Sequence, residues 1–161
     1  MAKVKPTSDL NCSLARATQI VGDRWSFLIL RDLLAGAERF QDLADHIGIA
    51  RNILTGRLLR LREAGLIART GPDHRPSYQL TEMGLDLMPA LVAMMQWGDR
   101  WLSDGAPPMT VEDHKGRPVP DVTLTSGKGK TLGPDKIAIR PGPGASQVTT
   151  EWLAGLAGRK D

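Results

Sequence analysis

From residue 10 to residue 103 the spacing of apolar positions alternates between helical and extended periods, and each change marks the edge of an element. In CSLARATQIV, Leu14, Ala17 and Val21 share one helical face. After Gly22, the stretch DRWSFLILRDLL repeats Trp25, Leu28, Ile29 and Leu33 at helical spacing, with Asp23 placed to cap its start and Gly36 to close its end. Phe40, Leu43, Ala44 and Ile47 recur at i, i+3, i+4 and i+7. Gly48 interrupts them, and Leu54, Leu58 and Leu61 form the stripe of a further helix that Gly65 stops. Residues 67–70 and 77–80 have the short pattern of strands, joined by GPDHRP, where Gly71, Pro72 and Asp73 supply turn chemistry. Thr81 is then expected to cap one long helix reaching about Leu102, apolar at Leu85, Met88, Leu91, Val92, Met95, Trp97 and Trp101 and kinked at Pro89.

Helix, tight corner, helix and hairpin in that order are the parts of a winged helix-turn-helix. The predicted fold class is therefore mainly α with a small β-hairpin wing, followed by a Gly/Pro-rich C-terminal extension with short strand-like segments. The charge distribution agrees with a duplex-binding surface. Net charge is only +3, but residues 48–78 carry six arginines against Glu63 and Asp73, so this segment alone is +4 and the rest nearly neutral. Phosphates respond to such local charge. With the leucine stripe of the second helix turned inward, Asn52, Thr55, Gly56 and Leu59 lie on the far side, flanked by Arg51, Arg57 and Arg60. Asparagine can bond adenine and arginine guanine through paired hydrogen bonds, and threonine offers a hydroxyl and a methyl. His74 and Arg75 sit near the wing tip, suited to a minor groove or to phosphates. Arg24 and Arg39, near helix starts, are candidates for backbone contacts or for pairing with Asp23 or Asp42.

From Gly105 onward the composition changes. The last 57 residues hold nine glycines and seven prolines, a level at which regular packing becomes sparse. The segments 122–125 and 137–140 are expected to pair around SGKGKTLGPD, and a short helix is expected near Thr150. The predicted organisation is an arm at 1–9, a DNA-binding and dimerisation domain at 10–103 and a partly ordered extension at 104–161. Enzymatic readings find little support. SGKGKT lacks the glycine that a phosphate loop needs five positions before Gly129, where Leu124 stands instead. His46, His74 and His114 show no metal-ligand spacing, the single Cys12 excludes an internal disulfide, and no cofactor or metal is expected. No window approaches the ~18 uninterrupted apolar residues of a membrane span, and the first residues lack the apolar stretch of a secretory signal, so a cytoplasmic protein is expected.

The ordered set Cys12, GDRW at 22–25, LILRDL at 28–33, GAERF at 36–40, RNILTGRL at 51–58, LREAGLI at 61–67, RPSYQLT at 75–81 and WGDRW at 97–101 resembles the HxlR-type winged helix-turn-helix regulators of prokaryotes. The resemblance covers about residues 10–103. It implies a homodimer built through the first and last helices, acting on transcription at a palindromic promoter site. Leu14, Leu91, Met95, Trp97 and Trp101 are the expected dimer residues. The tail is more weakly similar to the extension of long family members, which carry a ribbon with cysteine pairs and end in a sequence like RPGPGA at 140–145. Those cysteines are absent here, so no thiolates remain to hold zinc.

The resemblance also includes Cys12, which in some members responds to oxidants or electrophiles. Asn11 before it is a plausible N-cap, Arg16 lies one turn on, and a helix start favours a thiolate. A free cysteine is also often a small buried hydrophobe. Two other regulatory readings stay open at this point: a ligand held among Trp25, Trp97 and Trp101 without any redox role, and a winged-helix interaction module that leaves DNA alone.

Overall fold

The computed structural model describes residues 11–157. They divide into two compact units, one spanning Ala17–Val122, the other joining residues up to Arg16 with those from Thr123 onward. The arm expected at 1–9 lies outside the described residues.

In the larger unit the elements follow the expected order. Helix α1 (Ser13–Val21) enters it, followed by α2 (Arg24–Leu34), α3 (Phe40–Ile47) and α4 (Arg51–Glu63). Strands β1 (Ile67–Thr70) and β2 (Ser77–Leu80) pair antiparallel, Ile67 opposite Leu80 and Thr70 opposite Ser77. Helices α5 (Glu82–Leu85) and α6 (Met88–Leu102) complete the set. Val21, Ile29, Leu30, Leu33, Leu43, Leu54, Leu58, Leu61, Ile67 and Leu91 close into one core. The caps work as the local chemistry requires. Asp23 accepts from the amides of Trp25 and Ser26 at 3.0 and 3.1 Å, and Gly48 takes the left-handed conformation, φ 67°, at the corner between α3 and α4.

The long helix expected after Thr81 is in fact two. Thr81 caps the four-residue α5, and Pro89 lies in the first turn of α6, where its missing N–H costs nothing, so it starts a helix rather than kinking one. Gly84 explains why α5 comes so close to the hairpin: a Cβ there would sit 2.2 Å from the carbonyl oxygen of Leu66. After α6 the chain returns along it. Gln96 bonds the carbonyl of Pro120 and the amide of Val122, and Arg100 pairs with Asp121 at 2.5 Å.

In the smaller unit the expected pairing of 122–125 with 137–140 does not form. Thr125 bridges Thr131 instead, with Ser126 donating to Lys130 and Leu132 to Leu124. Closing the shorter loop costs less entropy, and a 3₁₀ turn at Pro134–Lys136 then redirects the chain. Helix α7 (Gln147–Ala157) starts three residues before Thr150, its first turn capped by Ser146, whose hydroxyl accepts from the Thr149 amide at 3.2 Å.

Candidate nucleic-acid interface

The surface is organised around α4. Leu54, Leu58 and Leu61 are buried at 0, 2 and 0% exposure, which fixes the helix rotation and turns the opposite face outward. On that face Asn52, Thr55, Gly56, Leu59 and Arg60 are exposed. The Asn52 amide has no partner among the described residues, while the Thr55 hydroxyl donates to the Arg51 carbonyl at 2.9 Å. Among the described residues nothing lies within 4 Å of where a Cβ on Gly56 would stand, so no contact there demands a glycine in mid-helix.

The arginines divide by what they already hold. Arg51 is exposed but donates to Gln41 of α3 and lies 5.9 Å from the Phe40 ring centroid, so it is steered along the groove between the two helices. Arg57 is half-buried and pairs with Asp23 at 3.2 Å, tying α4 to the cap of α2. Burial by itself would raise the Asp23 pKa. The Ser26 hydroxyl and amide, the charge of Arg57 and the Trp25 amide outweigh it and hold the carboxyl below its ordinary value. Arg24, expected near phosphate or Asp23, stacks over the Trp25 ring at 4.2 Å. Asp32, 2% exposed, joins α2 to α3 by accepting from Arg31 at 2.8 Å and bonding His46 Nδ1 at 2.7 Å.

The wing is held from an unexpected direction. Arg39, expected to face phosphate or Asp42, instead donates to the carbonyls of Arg75 and Pro76 at 3.0 and 3.5 Å. Glu38 accepts from the Tyr78 amide at 2.8 Å and from the Gln79 side chain at 3.0 Å, and Arg39 forms an isolated antiparallel bridge with Ser77 beside β2. Within the tip Arg69 pairs with Asp73 at 2.8 Å, while His74 and Arg75 are exposed. The roles of Gln41 and Arg39 had no signal in the sequence, because both depend on contacts across many residues.

On α6, Leu91 was expected at a dimer face but is 4% exposed and part of the core. The exposed stripe is Met94, Trp97 and Trp101, at i, i+3 and i+7, with Met95 half-buried beside it. Trp25 is half-buried against the core, whereas Trp97 and Trp101 are exposed. In the other unit Leu14 is 71% exposed and Cys12 is exposed as well. No helix of the described residues is long and apolar enough to cross a membrane.

Comparison with known proteins bears on all of this. The HxlR-like helix-turn-helix family model matches residues 20–106. The chain is 38% identical to the uncharacterized HTH-type transcriptional regulator Rv3095 of Mycobacterium tuberculosis, over 82% of this chain and 87% of the relative. It is 35% identical to the regulator sll1512 of Synechocystis over 56% of this chain and 70% of that one. Among solved structures it resembles PA1607, a candidate transcription factor, with TM-score 0.75 and 33% identity over 86% of this chain and all of that one. It also resembles PA1374 of Pseudomonas aeruginosa, with TM-score 0.62 and 33% identity over 88% and 99% of the two chains.

Proposed function

Because the chain belongs to the HxlR-like helix-turn-helix family and is a transcriptional regulator of the winged-helix type, we propose that it reads a palindromic promoter site as a homodimer. The observation that carries this reading is the exposed face of α4, where Asn52, Gly56 and Arg60 stand clear while the leucines are sequestered. Arg51, Thr55 and Arg57 flank or back it, and His74 and Arg75 at the wing contact the adjacent backbone or minor groove. Gly56 supports close approach, since nothing among the described residues occupies the space beside it. The stripe of Met94, Trp97 and Trp101 on α6 supports the dimer, because an exposed apolar row at helical spacing favours a partner helix.

A gel-shift titration on DNA from the gene's own upstream region tests the reading. Asn52→Ala should weaken binding to that site well beyond its effect on random DNA, whereas equal losses on both would remove Asn52 from base readout. Gly56→Ala should stabilise the isolated fold by up to about 1 kcal/mol and still weaken operator binding. Trp101→Glu should convert the dimer to monomer in sedimentation, and an unchanged mass would discard the α6 interface.

Exposure of Cys12 favours a second, regulatory reading in which oxidation or adduct formation at its thiol alters DNA binding. Mild peroxide treatment followed by mass spectrometry and a DNA titration decides it. An unmodified Cys12 with unchanged affinity ends the idea.

A further inference from the structure

The smaller unit contains an open cleft of about 920 Å³, within the roughly 300–1,000 Å³ typical of small-molecule sites. Cys12 and Arg16, from the start of α1, line part of it; Arg140, Pro141 and Pro143, with Trp152 of α7, line the rest. Its walls are joined by hydrogen bonds rather than by a core. Asn11 Oδ1 accepts from the Ser146 amide at 2.9 Å, and the Ala145 amide donates to the Gly142 carbonyl at 3.0 Å. The prolines restrict the loop further by fixing φ.

Two features point to an occupant. Arg16 and Arg140 are both exposed, and neither has an ion-pair partner among the described residues. A Cβ added at Gly142 or Gly144 would meet nothing within 4 Å among the described residues, so these glycines serve no packing need there and leave bare backbone lining the cleft. Glycine used in this way suits close approach of a ligand to the main chain. The proline rings and the Trp152 indole offer flat apolar surface. The guanidinium groups match a carboxylate through paired N–H donors.

We propose that this cleft binds a planar aromatic carboxylate, its ring against Trp152 and the prolines and its acid group on Arg16 and Arg140. This binding does not depend on the transcription-regulator reading above.

Calorimetric titration of the full chain with 2-naphthoate, and with neutral 2-naphthamide for comparison, tests it without DNA. Naphthoate should saturate at one per chain, with the amide about tenfold weaker. Arg16→Gln and Arg140→Gln should each lower naphthoate affinity about tenfold and leave the amide unchanged. Gly144→Val projects into open space and so should fold, as circular dichroism would verify, but should block both compounds. Bound naphthoate should also slow alkylation of Cys12 by iodoacetamide. Equal affinity for acid and amide, or full affinity in the glutamine variants, would overturn the proposal. So would protection of Cys12 that rises with protein concentration alone, since a second copy would then fill the cleft. Loss of operator binding in an otherwise ligand-competent preparation would count only against the DNA reading.

Discussion

The winged-helix unit and the extension unit are ordered by different physics. In the first, side chains from α1 to α6 close around Ile29, Leu30, Leu43, Leu54 and Leu61, all at 0% exposure. In the second, Ala15 is the one buried side chain among the described residues, while Leu124, Ile139, Val148 and Trp152 are 63–81% exposed. Hydrophobic burial holds the first unit. Turn hydrogen bonds, proline restriction and a capped helix shape the second. A core tolerates little change and hides its apolar groups, whereas a scaffold of turns tolerates more and leaves such groups available to a ligand or another chain. The difference explains why the proposed DNA-reading face belongs to the first unit and the candidate ligand cleft to the second.

The strongest way to break this contrast is a pair of truncations. Leu54→Ala should destabilise by about 2–5 kcal/mol in denaturant unfolding, and Ile139→Ala by less than about 0.5 kcal/mol. A cost of several kcal/mol at Ile139 would mean that its surface is covered in solution. Glycines sharpen the same contrast. Gly84→Ala forces a Cβ onto the Leu66 carbonyl and should cost about 1–3 kcal/mol, whereas Gly142→Ala should be nearly silent in thermal melts.

A smaller effect is expected at the cap of α2. Asp23→Ala should cost about 1 kcal/mol at neutral pH. Because its folded pKa is depressed, Asp23 contributes stability above the unfolded carboxylate value of about 3.9 and loses it as pH falls through the lower folded value. The gap between wild type and variant should therefore close in acid, and a gap independent of pH would assign the effect to packing. Least of all in stability, Arg75→Ala should leave unfolding unchanged but flatten the salt dependence of DNA binding by about 0.9 in slope, one phosphate contact.

The helix periods, the caps at Asp23, Gly48 and Gly65, and the inward leucines of α4 were all legible in the sequence, because each depends on residues within one or two turns of one another. The latch from Arg39 to the wing and the groove contact of Arg51 with Gln41 were not, since each spans ten or more residues. Leu91 and Met94 look alike on a helical wheel, and only the packing of α6 against the domain distinguishes them. Pro89 was visible, but its place in the first turn of α6 depended on where α5 ended.

Local chemistry along the chain determined which segments coil, where they stop and which face of the second motif helix carries polar groups. Tertiary structure decided which arginines remain free, which apolar residues stay outside and which hairpin the extension adopts. The reason is physical: propensity and capping act over a few residues, whereas ion pairing, burial and loop closure compare alternatives that only the folded chain brings within reach.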